Sequence, residues 1–339
     1  MFKGKAIFWD GGKKLRSDEL TISKIKNSEV IVEVKYCGIC GTDIAIYSGT
    51  HPRAKPPLIM GHEFSGLIKY SSNKKYKEGD RVVINPLISC GKCEICRKGI
   101  PYICENLKLV GIDINGGFSK YVVISADKIF NLPEKLSLKT AALVEPFATG
   151  FHVTNRINID KNGLILITGG GPIGTGIGII LKSKGFKNIY FSEVSSYRIN
   201  ILKKFGFNVF NPIETDILNY MKSNCKRNLF DLLIEASGKA TPLLDMSSLV
   251  KVRGKILLVG ISHKPVPVNT MNIIFKEIEV AGNRVYSIDD FKEAIDFIYD
   301  KRKILGDYIT KVYELDKLEE AINLAGNSDL AMKVVIKID

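Results

Sequence analysis

The chain has 339 residues, of which 45% are hydrophobic and 25% are charged. This length exceeds what a single hydrophobic core usually serves, so two domains are expected. The balance of apolar and charged residues excludes a disordered protein and is typical of globular domains.

The net charge of +13 raises nucleic acid and anionic membranes as partners, because clustered basic residues bind phosphate groups. The lysines are dispersed as single residues and as pairs such as Lys13 and Lys14, which favours a solvated basic surface. The first residues lack the apolar run of a signal peptide, and no stretch approaches the ~20 apolar residues of a membrane helix. We therefore expect a cytoplasmic protein that binds neither membranes nor nucleic acid.

Short alternating segments up to about residue 135 predict a β domain. Four of them have the alternation of half-buried strands, at residues 5–9, 30–35, 65–70 and 81–85. Turn residues separate these segments, as in a barrel-like or sandwich-like β domain. Residues 85–106 are rich in Cys and Gly and lack this periodicity, so we expect them to form a lobe without a core of its own.

Strands and helices alternate after Glu145 and Pro146. Predicted strands lie at residues 163–168, 188–192, 229–235 and 254–259, and predicted helices at 173–184 and 197–205. Such alternation implies a parallel, doubly wound sheet. The tail holds a predicted helix at 289–299 and a predicted strand at 333–338, and it is too short for a separate domain. The expected division is 1–146, then 147–284, with 285–339 returning to the first domain.

A glycine-rich turn follows the first strand of the alternating region. Gly169, Gly171 and Gly174 have G-x-G-x-x-G spacing, which permits a tight turn, close approach of a pyrophosphate and close packing of helix on strand. Pro172 opens the following helix, whose N-terminal amides can bind phosphate. Glu193 ends the next predicted strand, where an acidic residue binds the ribose of a dinucleotide. The context therefore predicts a dinucleotide site.

Four cysteines lie close together in the Cys-rich lobe. Cys90, Cys93, Cys96 and Cys104 are spaced so that one loop can surround a tetrahedral ion at Zn–S distances of about 2.3 Å. Four thiolates leave no open coordination position, so this zinc site should be structural. Free thiols and an iron–sulfur cluster are the alternatives.

A second candidate metal set is scattered along the chain. Cys40 lies in a glycine-punctuated turn, His62 and Glu63 are adjacent before a predicted strand, and Glu145 stands at the start of the alternating region. Each also has an ordinary structural explanation, as a buried cysteine, a core histidine or a helix-capping carboxylate. The residues alone leave that choice open.

Six motifs occur in one order along the chain: Cys-Gly-Ile-Cys-Gly-Thr-Asp at 37–43, Gly-His-Glu at 61–63, Gly-Asp-Arg-Val at 79–82, the four-cysteine lobe, Glu-Pro at 145–146 and Gly-Gly-Gly-Pro-Ile-Gly at 169–174. With these motifs the sequence resembles the zinc-containing medium-chain alcohol dehydrogenases. It is most similar to the branch with sorbitol, butanediol and threonine dehydrogenases. The resemblance implies a GroES-like β-barrel catalytic domain and a Rossmann domain.

The resemblance also implies roles for individual residues. Cys40 and His62 would be catalytic zinc ligands, with Glu63 and Glu145 as exchangeable or water-bridged members of the set. Thr42 would hydrogen-bond the substrate oxygen, and Asp43 would orient His62. Residues expected to hold the dinucleotide, besides the glycine-rich turn, are Ile173, Glu193, Arg198, Val259, Gly260, Ile261, Asn283 and Arg284.

One position departs from the family pattern. The family commonly has a histidine five residues after the catalytic cysteine, where it relays a proton from the threonine to solvent, and this chain has Ala45 there. His51 is nearby in sequence and is the candidate replacement. A histidine in a Thr-His-Pro loop is more often simply exposed.

The expected activity is hydride transfer between a secondary alcohol, such as a polyol or sugar-derived alcohol, and NAD. Two zinc ions per chain are expected, one catalytic and one structural, and NADP is disfavoured because Glu193 would face its phosphate. The alternatives are a threonine 3-dehydrogenase, a zinc-dependent aldehyde reductase and a non-catalytic NAD-binding protein. A nucleic-acid-binding zinc finger would need a basic recognition helix beside the cysteine lobe. The resemblance implies a homodimer or homotetramer.

Overall fold

The structure is a computed structural model that describes residues 1–225, 229–239, 246–262 and 265–339. The chain forms two compact units. The first contains Met1–Ala148 and Ser287–Asp339, and the second contains Thr149–Tyr286. Among the described residues, no helix is both long and apolar enough to cross a membrane.

Eighteen strands are found in the described residues. They are β1 Phe2–Trp9, β2 Leu15–Ile22, β3 Glu29–Gly38, β4 Leu58–Ile59, β5 Glu63–Ser71, β6 Arg81–Ile84, β7 Leu87–Ile88, β8 Lys108–Leu109, β9 Tyr121–Ser125, β10 Ile129–Asn131, β11 Leu164–Thr168, β12 Asn188–Ser192, β13 Asn208–Phe210, β14 Phe230–Glu235, β15 Val250–Leu258, β16 Glu279–Gly282, β17 Ile309–Glu314 and β18 Lys333–Lys337.

The α-helices with both ends in the described residues are numbered in chain order. They are α1 Gly41–Tyr47, α2 Glu94–Arg97, α3 Leu138–Ala141, α4 Val144–Asn155, α5 Pro172–Ser183, α6 Ser196–Lys204, α7 Ile217–Cys225, α8 Thr270–Phe275, α9 Ile288–Lys301 and α10 Leu318–Ala325.

The first unit is built on a seven-stranded sheet, in which six strands have the order β10-β6-β5-β3-β18-β17 and the seventh, β9, pairs with β3. Strand β3 pairs with β5 along one edge, and along its other edge with β9 and then with β18. Its valines and isoleucine, at positions 30, 31, 32 and 34, are buried, as expected for β-branched residues in a central strand. The C-terminal strand β18 is therefore an internal strand of this sheet.

The second unit is built on a six-stranded sheet in which every pair of neighbouring strands is parallel. The order β13-β12-β11-β14-β15-β16 is the 3-2-1-4-5-6 order of the Rossmann fold. Alternate residues of β11 enter two cores: Ile165 and Ile167 enter one, and Leu164 and Leu166 enter the other. Burial on both faces explains why this strand is apolar throughout.

One predicted strand is longer in the structure. Residues 254–259 were expected to form a strand, whereas β15 begins at Val250 and ends at Leu258. The pairing of β14 with β15 shifts register between Phe230 and Leu232, and a Cβ at Gly254 would lie 2.4 Å from Val250 Cγ1. Gly254 therefore lies inside the strand and does not mark its start. A glycine is needed there because a side chain would collide with Val250.

Candidate metal centres and dinucleotide site

The four cysteines of the lobe are brought together as the sequence predicts. The sulfur atoms of Cys90, Cys93, Cys96 and Cys104 all lie within 4.8 Å of one another. Backbone amides point at the sulfurs: Cys93 N donates to Cys90 Sγ at 3.4 Å, and Asn106 N donates to Cys104 Sγ at 3.3 Å. Such donors stabilise thiolates, which are the form that binds a metal ion.

The local environment separates the pKa values of these thiols. Hydrogen bonds from the backbone of Lys92 and Cys93 lower the pKa of Cys90 to about 6. Burial raises the pKa of Cys96 to about 12. A set of four sulfurs with amides directed at two of them fits a tetrahedral zinc ion that keeps no open position.

The second metal set is assembled by the pairing of two strands. Gly38 of β3 pairs with Glu63 of β5, and this places Cys40, just after β3, beside His62, just before β5. Ligand atoms of Cys40, His62 and Glu63 lie within 4.8 Å of one another. His62 and Glu63 are buried and Cys40 is half-buried.

Glu145 lies outside this group of three. It is buried near the start of α4, and its charge raises the pKa of His62 and of Lys333, so its carboxylate is nearby. The resemblance implied the same role for Glu63 and Glu145, as exchangeable or water-bridged members of the zinc set. The structure brings only Glu63 within the group.

Asp43 supports the set through the backbone. Its Oδ2 accepts a hydrogen bond from Cys40 N at 2.8 Å, and its Oδ1 accepts one from Gly61 N at 3.1 Å. The distance from Asp43 Oδ1 to His62 Nδ1 is 3.9 Å, which is too long for a hydrogen bond. Asp43 thus fixes Cys40 directly and fixes His62 through the residue that precedes it.

Lys333 is a further residue at this site, which no sequence motif predicts. Lys333 is 2% exposed, its Nζ forms an ion pair with Glu63 Oε2, and it donates a hydrogen bond to the carbonyl oxygen of Ile39 at 2.8 Å. Burial alone would lower the pKa of Lys333, but the charges of Glu63 and Cys40 raise it above its ordinary value. The local sequence gives no signal, because a lysine at the start of a strand is ordinarily exposed.

The donor set fits a zinc ion. A thiolate, an imidazole and a carboxylate are the ligand types of catalytic zinc sites, which keep one position for a water or substrate. Although His62 is buried, its Nδ1 has no hydrogen-bond partner in the described part of the chain. Burial alone would lower the pKa of His62, but the charges of Asp43 and Cys40 raise it well above its ordinary value. The acidic groups of Asp43, Cys40 and Glu63 around His62 favour a cation at this position.

Thr42 and His51 differ in their relation to this set. Thr42 Oγ1 lies 3.8 Å from Cys40 Sγ, so its hydroxyl is beside the candidate ligands. His51 Nδ1 accepts a hydrogen bond from Ala54 N at 3.2 Å, and His51 N donates to the carbonyl oxygen of Ala45 at 3.1 Å. The ring of His51 therefore supports its own loop.

The glycine-rich turn has the conformation that its sequence predicts. Gly169 has a φ of +91°, and a Cβ at Gly174 would lie 2.0 Å from the carbonyl oxygen of Gly169. Gly171 caps the N-terminus of α5, with Pro172 and Ile173 in its first turn. This leaves helix amides and the glycine backbone available to a pyrophosphate. The hydroxyl of Thr168, which ends β11, is buried and has no hydrogen-bond partner in the described part of the chain.

Glu193 and Arg198 both lie at this turn. The Glu193 carboxylate accepts hydrogen bonds from Gly170 N at 2.7 Å, Val194 N at 2.7 Å and Ser195 N at 2.9 Å. Arg198 Nη1 would be 3.4 Å from a Cβ at Gly171. The acid thus contacts Gly170 and the arginine lies beside Gly171, within the turn predicted to bind phosphates.

The remaining predicted dinucleotide residues follow β15 and β16, the last two strands of the parallel sheet. Val259, Gly260 and Ile261 come directly after β15, and Asn283 and Arg284 come directly after β16. Val259 N donates to the carbonyl oxygen of Glu235 at 2.8 Å, and Asn283 N donates to that of Leu258 at 2.9 Å. All of them therefore lie at the carboxyl ends of parallel strands, where ligands of such sheets bind.

A three-donor metal set in one unit and a dinucleotide fold in the other define a metal-dependent oxidoreductase. Residues 26–134 match the family described as alcohol dehydrogenase GroES-like domain, and residues 172–300 match that described as zinc-binding dehydrogenase. The chain is 33% identical to 2-dehydro-3-deoxy-L-galactonate 5-dehydrogenase of Pseudoalteromonas atlantica over 91% of each chain. It is 29% identical to sorbitol dehydrogenase of Bacillus subtilis over 95% of this chain and 93% of the relative.

Solved structures agree with these sequence matches. An alcohol dehydrogenase of Escherichia coli, complexed with NADH, superposes with a TM-score of 0.91 at 29% identity over 99% of both chains. A zinc-binding dehydrogenase of Sinorhizobium meliloti, bound to NADP, superposes with a TM-score of 0.92 at 25% identity over 99% of this chain and 100% of the other. The chain belongs to the zinc-containing medium-chain alcohol dehydrogenase family. It is an NAD(P)-dependent dehydrogenase that acts on CH–OH groups.

Proposed function

We propose that this enzyme moves hydride between a secondary alcohol of a polyol or sugar-derived compound and NAD. The observation that carries the proposal is the convergence of Cys40, His62 and Glu63 beside the hydroxyl of Thr42. A relative that acts on a sugar acid and one that acts on sorbitol support a substrate with several hydroxyl groups.

In this proposal Cys40, His62 and Glu63 hold the catalytic zinc, and Glu145 is the carboxylate that exchanges into the set. When bound, zinc acts as a Lewis acid that lowers the pKa of an alcohol, and the nicotinamide accepts hydride. Thr42 donates or accepts a hydrogen bond at the substrate oxygen. Asp43 keeps the ligands in place through the backbone hydrogen bonds to Cys40 and Gly61.

The other metal site has a structural role in this proposal. Cys90, Cys93, Cys96 and Cys104 hold a second zinc ion that organises the lobe. Elemental analysis of the purified protein should therefore give two zinc ions per chain. A ratio near one in fully active enzyme would contradict the two-site proposal.

The preference for NAD is assigned to Glu193. Its carboxylate is fixed by three backbone amides, and the remaining lone-pair site on Oε2 can accept a hydrogen bond from a ribose hydroxyl. NADP carries a phosphate at that ribose, which would repel a carboxylate in a partly dry site. Arg198 is the opposing feature, because a guanidinium can bind a phosphate with two hydrogen bonds.

Cofactor preference is tested by comparing kcat/KM for NAD and NADP in the wild type and in Glu193→Ser. We expect the wild type to prefer NAD and the substitution to reduce that preference. Equal use of both cofactors by the wild type, or a ratio that the substitution does not change, would refute the assignment to Glu193.

Substrate class is tested by following NAD reduction with sugar alcohols, sugar acids, diols and L-threonine. We expect turnover with a compound that carries several hydroxyl groups. Turnover restricted to L-threonine would support a threonine 3-dehydrogenase instead. If all of these alcohols fail while NADH reduces aldehydes, the enzyme is an aldehyde reductase.

A further inference from the structure

Glu235 is a buried carboxylate that the proposed chemistry does not use. It is the last residue of β14, and it is 0% exposed. Its Oε1 accepts hydrogen bonds from Ser237 N at 2.8 Å and Gly238 N at 3.0 Å, and also from Ser237 Oγ. A carboxylate is costly to bury unless hydrogen bonds replace its hydration, and here the donors come from the loop that follows the strand.

The backbone of Glu235 holds a second loop. Its carbonyl oxygen accepts hydrogen bonds from Val259 N at 2.8 Å and from Gly260 N at 2.9 Å. One residue thus binds the loop at 236–239 through its side chain and the loop at 259–261 through its main chain.

These two loops meet with no space between them. A Cβ at Gly260 would lie 2.2 Å from Gly238 N and 2.6 Å from Glu235 Oε2, and a Cβ at Gly238 would lie 2.7 Å from the carbonyl oxygen of Ile261. Real Cβ atoms do not approach other atoms this closely. The contact is therefore backbone against backbone, with the Glu235 carboxylate at its edge.

The same loop also touches the glycine-rich turn. Ala236 N donates to the carbonyl oxygen of Thr168 at 2.9 Å, and a Cβ at Gly169 would lie 2.9 Å from Ser237 Cα. The loops after β11, β14 and β15 consequently form one continuous backbone surface at the carboxyl ends of the strands, where a dinucleotide binds in this fold.

We propose that Glu235 is a positioning residue for the dinucleotide. By fixing the loop at 236–239 between the glycine-rich turn and the loop at 259–261, its carboxylate presents this surface in the binding conformation before the ligand arrives. Preorganisation of this kind raises affinity because binding then costs less ordering of the loops. This proposal rests on the proposed binding of a nicotinamide dinucleotide.

The test compares Glu235→Gln with a matched control on the same strand. Glutamine keeps the size of the side chain. Its NH2 group, however, replaces the acceptor Glu235 Oε2, which faces Gly238 N and Gly260, by a donor that cannot accept the Gly238 amide. Asp231 is the control because its Oδ2 accepts a hydrogen bond from a backbone amide, Leu164 N, at 2.8 Å, but at the opposite end of β14. Asp231→Asn therefore also replaces a carboxylate by an amide, away from the loops, and in addition it removes the ion pair of Asp231 with Lys251.

NADH binding to the zinc-loaded protein is measured by NADH fluorescence, beside melting temperature and the kinetics with NAD. For Glu235→Gln we expect the Kd for NADH and the KM for NAD to rise about tenfold, the effect of losing one charge-assisted hydrogen bond. At saturating NAD, kcat should be retained. Asp231→Asn should lower the melting temperature and leave both cofactor constants unchanged.

A lower melting temperature with an unchanged Kd in Glu235→Gln would show a purely structural role and overturn the inference. If Glu235→Gln does not fold, Gly260→Ala tests the same contact from the other loop, because its methyl group would push against Gly238 N. An unchanged Kd in folded Gly260→Ala would also overturn the inference. Failure of the wild type itself to bind NADH would instead refute the proposed function.

Discussion

Lys333 is a buried cation held by Glu63 and the carbonyl oxygen of Ile39. Replacement by methionine would leave the Glu63 carboxylate buried without its ammonium partner. Removing one member of a buried ion pair costs about 3–5 kcal/mol. We expect zinc-stripped Lys333→Met to lose stability of that order in urea, followed by the fluorescence of Trp9, the single tryptophan, which lies in the same unit.

The stability of the double variant Lys333→Met/Glu63→Met checks the cause of that loss. Because neither charge is then buried, the double variant should regain part of the stability lost in Lys333→Met. Additive losses in the two single variants would show that the ion pair is not the source.

His51 is the candidate for the missing proton relay, and its contacts argue for a local structural role. Asparagine can place an acceptor where His51 Nδ1 receives the amide of Ala54, but it cannot carry a proton. We expect His51→Asn to keep the melting temperature and the pH profile of kcat. A changed pH profile in a fully stable variant would establish His51 as part of the proton path.

The residues of the metal sets differ in how far the sequence could predict them. Cys40, His62 and Glu63 were identified through the resemblance carried by six motifs in one order, and the structure brings them together. Lys333 was missed because its burial follows from the insertion of β18 beside β3, a long-range pairing that no local pattern records. Which of the two carboxylates, Glu63 or Glu145, lies with Cys40 and His62 likewise depends on how the folded chain packs.

At the scale of elements, Cys40 and Cys93 occupy equivalent positions. Each caps the N-terminus of a helix, α1 and α2 respectively, and serine is a good residue at such a position. Serine substitutions therefore spare the helix start and remove a metal ligand. This makes the two variants a matched pair for separating the roles of the two metal sets.

We expect Cys40→Ser to abolish turnover while retaining NADH binding and melting temperature. Cys93→Ser should lower the melting temperature, because structural zinc contributes folding energy, and each kcal/mol lost lowers it by about 2–4 °C in a unit of this size. The measurements are turnover, NADH binding and thermal unfolding of both variants. Equal losses of activity at unchanged melting temperature would contradict this division of roles.

Nine of the eighteen strands and three of the ten numbered helices were predicted from their periodicity, and their ends were predicted less accurately. Residues 188–192 were predicted as a strand and form β12, because a short apolar run lies between clear turn signals. The start of β15 was not predictable, because Gly254 looks like a turn residue. Its place inside a strand depends on the irregular pairing with β14, which only the folded sheet reveals.

At the scale of the whole molecule, the edge of the parallel sheet is a candidate contact between two copies of the chain. Strand β16 is at the end of the sheet in the described residues, and several apolar side chains on it and on α8 are exposed. They are Met271, Ile274, Phe275 and Val280. An open edge beside an apolar patch favours association, and a symmetric dimer uses the same patch twice.

We therefore expect light scattering to give a mass of about twice 37.6 kDa or a multiple of it. Phe275→Lys should shift the protein towards the monomer, because Phe275 is 77% exposed in a single chain and would be buried in the dimer. Ile213→Lys is the control, because Ile213 is equally exposed, at 80%, but lies outside the patch. A monomeric wild type would refute the expected oligomer.

The position of β18 has a consequence for the order in which the enzyme matures. Lys333 and Ile39, which contact each other, are 294 positions apart. Ribosomes synthesise a chain from its N-terminus, so β3 and β5 leave the exit tunnel long before β18. During that interval Glu63 has no ammonium partner, and the end of β3 that later pairs with β18 is uncovered. The candidate metal set of Cys40, His62 and Glu63 thus gains its contact with Lys333 only after translation has reached β18, whereas all four cysteines of the lobe have been synthesised by residue 104.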